Sequence, residues 1–370
     1  MWPIFIFLIL ISVGIGFYLY RYLRRAFETF GAPVKSKTVR IVLIVLSVCL
    51  AGLCLDISGF GFLVTMHIFV FALILQFVNF IVKRFGWSWW KKIYGSGILP
   101  VVLTAVLLVF GYFNLHNVVA TEYTVNTKKD IREEGYKVAL IADVHFGVSL
   151  DYEELMVKCQ EISREKRDIV VLCGDIVDND TSKEEMHQVF EAFGKIESEF
   201  GVFYVHGNHD RPMNMLKSEY TEEELIKTIE KNKITILQDE FFEINDDMVL
   251  IGRDDKSAER TGKGRASLEE FSKVVDREKF VLTLDHQPNS YEETGKSVTD
   301  LVISGHTHGG QLWPLKQVQE IFNLNDGVYG HMWIDNDTQA IVTSGVAGWA
   351  FPVKTAAPAE YVIIDIMKAS

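Results

Sequence analysis

Lys137-Val138-Ala139-Leu140-Ile141-Ala142-Asp143-Val144-His145 decides how this chain is read. Lys137 to Ala142 is an apolar run of the length of a buried strand, and it runs directly into Asp-X-His. Side chains two positions apart on a strand share a face, so Asp143 and His145 are expected to project together from the strand's end.

Four further segments repeat this arrangement. Asp168–Cys173 leads to Gly174-Asp175-Ile176-Val177-Asp178, and Val202–Val205 to Gly207-Asn208-His209-Asp210. Phe280–Leu284 leads to Asp285-His286, and Leu301–Ser304 to Gly305-His306-Thr307-His308-Gly309-Gly310-Gln311. Each apolar strand delivers polar residues at its C-terminal end, the edge where open α/β sheets place ligand sites. Glycines there let the backbone turn sharply and approach a bound group. Carboxylates, imidazoles and one amide oxygen together form the mixed set that two adjacent divalent metals need. A single Asp-X-His, or one Gly-Asp after a strand, is ordinary turn sequence; five in order, each behind an apolar strand, are not coincidence. Asp178 and Asp210 read as turn residues or supports for ligands. His206 reads as part of its strand, and His116, His187 and His331 carry no role.

In motif order and spacing, residues 135–366 resemble the calcineurin-like metallophosphoesterase superfamily. The Gly-His-Thr-His-Gly-Gly-Gln string, followed by Ser344-Gly345 and Phe351-Pro352-Val353, resembles its bacterial membrane-associated branch. The resemblance implies an α/β fold, a two-sheet sandwich flanked by helices (α/β/β/α). It implies one metal on Asp143, His145, Asp175 and His308 and another on Asp175, Asn208, His286 and His306, with Asp175 bridging. It further implies attack on phosphorus by a hydroxide between the metals, with His209 stabilising charge or protonating the leaving oxygen. Mn, Fe or Zn suit this ligand set, and Mn is favoured. Two positions depart from the branch: Lys354 stands where Arg is usual, and Ala359-Glu360 where Pro-Glu is usual. Neither is a ligand, but Lys lacks the planar fork of a bidentate phosphate contact.

The first third of the chain has a different composition. Pro3–Tyr20, Val39–Leu55, Phe62–Val82 and Ile98–Phe113 are apolar stretches approaching the ~20 residues that cross a bilayer core. The first lacks the basic start and small-residue cleavage site of a signal peptide and reads as a retained helix. Arg21, Arg24, Arg25, Lys35, Lys37 and Arg40 fill the first connection, and Lys83, Arg84, Lys91 and Lys92 the third. The N-terminal tail and the Asp56–Gly61 turn carry no Lys or Arg, so the basic loops are expected in the cytoplasm. That gives a four-helix transmembrane region over 1–117 and a linker with a lead-in strand over 118–134. Residues 135–370 then form a catalytic domain outside the cytoplasm. Phe85, Trp87, Trp89, Trp90 and Tyr94 fit an interfacial aromatic belt. His67, Gln76 and Asn79 in the third stretch are expected to hydrogen-bond between helices.

The chain's 37 Lys+Arg and 49 Asp+Glu divide unevenly. Residues 1–120 hold ten basic and two acidic side chains, the remainder 27 and 47, for net charges of +8 and −20. So acidic a domain argues against nucleic-acid binding. The four cysteines lie in apolar or helical segments and form no disulfide framework. Asp151–Lys166, Ser182–Ile196, Thr221–Lys231 and Ser267–Val275 are expected helices, with Glu three residues after Ser182, Thr221 and Ser267 as in a capping box. Ile234–Leu237, Phe241–Ile244 and Met248–Ile251 are expected strands, Trp333–Ile334 with Ala340–Val342 a hairpin, and Tyr361–Ile366 the closing strand.

The leading expectation is a membrane-embedded phosphohydrolase acting on a phosphomonoester or phosphodiester, lipid-linked or of the cell envelope. A metal-binding, non-hydrolytic accessory domain is the alternative. A transporter would need charges inside the apolar stretches, and these are nearly absent. Apolar residues after the motifs, Trp313, Trp349 and Phe351 among them, are candidates for an acyl-binding rim. Lys256, Arg260, Lys263 and Arg265 read as a solvated loop. The sequence leaves the oligomeric state open.

Overall fold

The computed structural model describes residues 2–369 apart from 57, 148, 212–217 and 263. The chain divides into two compact units, Met1–Phe110 and Gly111–Ser370.

The first unit is helical. α1 (Trp2–Thr29) runs through Arg21, Arg24 and Arg25, well past the apolar stretch that starts it. α2 (Lys37–Leu53) packs on it at Gly16, where a Cβ would stand only 3.1 Å from that of Ala51. α3 (Phe60–Val82) follows, then α4 (Ser88–Ser96), a short helix that the apolar pattern does not announce, and α5 (Ile98–Leu115), which runs on into the second unit. Among the described residues, Phe60–Phe85 and Ile98–Leu115 are the helices long and apolar enough to cross a membrane. Phe85, Trp87 and Trp89 stack in series, with ring centroids 5.2 and 5.5 Å apart. Asn79 accepts a hydrogen bond from Trp90 Nε1 of α4 at 3.0 Å, a bond between helices as expected. His67 instead bonds within its own helix, to the Leu63 carbonyl at 2.8 Å.

The second unit is an α/β sandwich of two mixed sheets. Its first sheet takes β1 (Val119–Thr127), β2 (Tyr136–Ile141), β3 (Ile169–Cys173), β4 (Val202–Val205), β5 (Ile234–Ile236) and β12 (Glu360–Lys368), in the order β1-β12-β2-β3-β4-β5. Only the β12–β2 pair is antiparallel. The second takes β6 (Glu240–Glu243), β7 (Met248–Gly252), β8 (Phe280–Leu284), β9 (Leu301–Ser304), β10 (Gly330–Trp333) and β11 (Gln339–Val342), in the order β10-β11-β9-β8-β7-β6, antiparallel at both edges. Helices α6 (Tyr152–Arg164), α7 (Lys183–Phe193) and α8 (Glu222–Lys231) cover the first sheet; α9 (Leu268–Phe271) lies on the second. α10 (Tyr291–Thr294) and α11 (Leu315–Ile321) are short connections.

Strand periodicity builds the layers. Val138, Leu140 and Ala142 face the core between the sheets, together with Ile169, Val171 and Cys173. Ala139, Ile141, Val170 and Leu172 face the helices. A run apolar at every position is what a strand buried on both faces requires. Capping boxes close the starts of α6, α7 and α8 at Asp151, Ser182 and Thr221. At Ser267 no side-chain cap forms, and the expected helix to Val275 is cut to the four residues of α9. The parallel strands β2, β3, β4, β8 and β9 all end at one edge, where the candidate residues lie.

Candidate metal centre

The strand-pleat account of Asp143 and His145 is corrected by the structure. β2 ends at Ile141, and both residues sit in the turn beyond it in left-handed backbone, with φ of 51° and 37°. Asp175, His306 and His308 share that conformation, with φ of 52°, 71° and 50°. Non-glycine residues hold such angles only where the surroundings over-determine them, and such strain collects at functional sites. Here the surroundings are adjacent turns that interlock. Asp210 is fully buried, and its carboxylate accepts four backbone N–H bonds, from Asp175, Ile176, Val177 and Gly207, at 2.6–3.1 Å. It clasps the turn after β3 to the turn after β4. Gly207 is obligatory there, because a Cβ would lie 2.2 Å from Asp175 Oδ1.

The turns bring the side chains into one cluster. The ligand atoms of Asp143, His145 and His308 all lie within 4.8 Å of one another, and so do those of Asp175, His286 and His306. Asp175 Oδ2 stands between the groups, 3.9 Å from His145 Nε2 and 3.1 Å from His286 Nε2. His145, His286 and His308 each engage Nδ1: with Asp178 at 3.0 Å, the Cys173 carbonyl at 2.8 Å and the Ala347 carbonyl at 3.1 Å. A neutral imidazole that donates from Nδ1 keeps a bare lone pair on Nε2, the tautomer a metal needs. His145 Nε2, His286 Nε2 and Asn208 Oδ1 are buried without a well-formed hydrogen bond, His286 Nε2 facing only the Asp175 carboxylate at 3.1 Å. Buried polar atoms rarely stay unsatisfied, and three of them beside clustered carboxylates fit divalent cations.

Without a bound cation, burial lowers the His286 pKa but Asp175 and Asp143 more than reverse this, so the ring itself supplies positive charge to the acids. Burial pushes the Asp143 carboxyl up to about 6, with the Asp175 charge adding to the rise against the pull of His286 and His145. Burial acts on Asp175 too, but His286, His145 and His209 together hold it well below the usual carboxylate range. Burial likewise drives His308 well below the ordinary imidazole value, with His145 and Lys354 adding to the fall. Acids this close and this buried resist sharing a site unless cations neutralise them.

His209 is partly open, its side chain 21 % exposed; it clusters with His145 and Asp178, and its backbone N–H donates to Asp175 Oδ1 at 2.8 Å. Asp178 reaches both histidines, Oδ2 to His145 and Oδ1 to His209 Nδ1 at 3.6 Å. Burial lowers the His209 pKa, but Asp178, Asp175 and Asp210 more than reverse this, and the ring is held above its ordinary value. The Trp349 ring lies 5.6 Å from it and is 48 % exposed.

Burial corrects the readings of Arg265 and Phe351 and gives Lys354 a structural role. Lys354 is fully buried, so it makes no substrate contact; its ammonium donates to the carbonyls of Ser344, Gly345 and Ala347. Burial pushes it down to about 7, against the attraction of Asp143 and Glu360. Arg265 is not solvated: with Arg253 it pairs to Asp285, beside His286. Lys263 and the Arg260 side chain lie outside the described residues. Phe351 is buried and so is no part of an open rim, while Trp313 is half-buried. The sequence singles out Lys354 as a departure from the resembling branch, but the clamp it forms is made of contacts that a single sequence does not display.

The family profile of the calcineurin-like phosphoesterases matches residues 136–310. An uncharacterized metallophosphoesterase of Aquifex aeolicus is 29 % identical over 266 residues, covering 71 % of this chain and 97 % of that protein. A transmembrane protein with metallophosphoesterase domain from Danio rerio is 27 % identical over 282 residues, 74 % of this chain and 63 % of that one. Among solved structures, a dimetal phosphatase from Danio rerio aligns with a TM-score of 0.39 at 15 % identity, over 57 % of this chain and 88 % of that chain.

Proposed function

We propose that this chain, which belongs to the calcineurin-like metallophosphoesterases through the domain at residues 136–310, is a membrane-anchored hydrolase of phosphoesters. The observation that carries the reading is the set of buried atoms without a well-formed hydrogen bond, His145 Nε2, His286 Nε2 and Asn208 Oδ1, around Asp143 and Asp175. Asp143, His145, Asp175 and His308 would hold one divalent cation, and Asp175, Asn208, His286 and His306 the other. Bound there, two cations, Mn in first place before Fe or Zn, supply a water of lowered pKa and positive charge for the phosphoryl oxygens.

The chain's own residues do the rest. Asp178 fixes the tautomer of His145 and, through its other oxygen, steers the His209 ring. His209, the partly open member of the cluster, carries the proton that the leaving oxygen takes up. Asp210 keeps the turns after β3 and β4 in register, so that Asp175, Asn208 and His209 stay aimed at one point.

The membrane assignment goes further. In this reading residues 1–117 cross the bilayer four times, with the basic connections in the cytoplasm, and 118–134 lead to a catalytic domain at 135–370 on the other side. The apolar helices Phe60–Phe85 and Ile98–Leu115 support it, as do the Lys and Arg confined to alternate connections. A substrate at the bilayer, a lipid or cell-envelope phosphodiester, follows from that anchoring. The test is hydrolysis of a generic phosphodiester and monoester by detergent-purified full chain, with and without Mn²⁺. Cation binding with no turnover of any ester would make the chain a non-hydrolytic accessory protein.

A further inference from the structure

Beside the metal centre the catalytic unit leaves an apolar face uncovered. Leu315, Val318 and Ile321 of α11 are exposed, and Phe322 and Leu324 continue past the helix end; Ile321, Phe322 and Leu324 are 74, 69 and 62 % exposed. Positions 315, 318 and 322 fall on one stripe of a helix, while Lys316 and Glu320 pair with each other on another. Apolar side chains grouped this way in an acidic domain mark a contact surface.

The bonding of this segment indicates its occupant. The Gln311 side chain donates to the carbonyls of Trp349, Phe351 and Val353, and the Gln311 backbone carbonyl accepts from Thr355 N at 2.7 Å. The loop so held is bonded in turn to the last turn of α5. Asn114 Nδ2 donates to the Lys354 and Ala357 carbonyls at 2.8 Å each, and Lys354 N donates to the Gly111 carbonyl at 3.0 Å. The end of an apolar helix of membrane-crossing length, the loop that carries Trp349 beside His209, and the start of α11 are therefore one hydrogen-bonded assembly. A helix that crosses a bilayer ends at the headgroup level, where tryptophan rings and the apolar face of a short amphipathic helix are at home.

We infer that Leu315–Leu324 and Trp349 form a lipid-docking surface, so that the metal centre takes its phosphoester from the bilayer interface and not from bulk water. The inference rests on the hydrolase reading and on α5 as a membrane-crossing helix. Docking here is apolar, since the net charge of −20 on residues 121–370 gives anionic lipid no attraction.

The test uses the full chain in phosphatidylcholine–phosphatidylglycerol vesicles that contain doxyl-labelled lipid. An environment-sensitive fluorophore is placed at Ile321→Cys in a Cys49→Ser background, and at Val274→Cys as a control that is 66 % exposed and lies beside α9. Quenching at position 321 and not at 274 is expected. Emission at 321 that stays water-like and unquenched, or that shifts only as protein concentration rises, overturns the inference; the second result would mean a second copy covers the face. In parallel, Ile321→Glu combined with Phe322→Glu should lower kcat/KM for a long-chain phosphoester in the vesicles by about tenfold or more, as loss of apolar burial implies. Hydrolysis of a short-chain soluble ester should be unchanged. Equal losses on both esters, or none on either, overturn the docking role. If the native chain cleaves neither ester, the hydrolase reading falls and the quenching still decides docking.

Discussion

The two sides of the metal centre are built differently. On the Asp143 side, Asp143 and His145 are wholly buried and His308 nearly so, and both rings are fixed at Nδ1, by Asp178 and by the Ala347 carbonyl. On the Asp175 side, His286 is buried and tied to Cys173, but Asn208 and His306 are only partly buried and stand near His209 and solvent. Packing locks the first set of ligands as firmly as a core residue. The second is open where a substrate must arrive. In the proposed scheme, the contrast would make one cation part of the fold and leave the other to the reaction.

The largest effect tests what joins the sides. Asp175 Oδ2 is within reach of both His145 and His286, so Asp175→Asn should cost both cations and nearly all activity. Elemental analysis that still finds two metals per chain would remove Asp175 from its bridging position. A smaller loss separates the sides. His306→Ala should keep one cation per chain and the native melting temperature, whereas His308→Ala should lose cation and lower the melting temperature together. Stepwise chelation of the native chain should likewise release one cation well before the other. If His306→Ala proves the more destabilising of the two, the contrast is wrong.

His209 is partly exposed and stands against His145 and Asp178, without being a ligand in this scheme. His209→Ala should retain both cations and lower kcat by about 10²–10⁴-fold, the usual range for a positioned acid. The loss should shrink for esters whose leaving group needs no proton. Losses independent of leaving-group pKa would leave His209 an electrostatic role only.

What was legible in the sequence follows the same physical division. Apolar strands ending in Asp, His or Asn are local patterns, so the strand edge and the clustered residues could be read from them. Asp210 is different: its role is four hydrogen bonds, three of them to residues more than thirty positions away, and in the sequence it is one more turn aspartate. The directions of Asp143 and His145 were legible only as a pair, because a left-handed turn, not a strand pleat, aims them. Arg265 looked solvated because its buried partner Asp285 is distant in sequence. The Ser267–Val275 helix failed where propensity met no cap and little helix to continue. Contacts across the chain decide such positions, and a single sequence does not display them.

The smallest effect concerns how the Asp143 side is locked. Gly345 packs so closely on Asp143 that a Cβ there would lie 2.5 Å from the Asp143 Cβ, and Ala347 N donates to the Asp143 carbonyl at 2.8 Å. The Ala347 carbonyl fixes His308. Lys354 bolts this loop by donating to Ser344, Gly345 and Ala347, and it adds an attraction to Asp143 beside those of His286 and His145. Lys354→Met should therefore weaken cation binding on the Asp143 side by about 10–100-fold, the range for losing a group that orients a ligand. The open side and the leaving-group dependence of kcat should be untouched. Lys354→Arg should restore most of the affinity, since a guanidinium can serve the same carbonyls and the resembling branch carries arginine there. Calorimetric titration of the cation-free chain reads both variants. If Lys354→Met binds as the native chain does, the lysine only fills the core. If Lys354→Arg fails while Lys354→Met succeeds, shape and not charge governs the position.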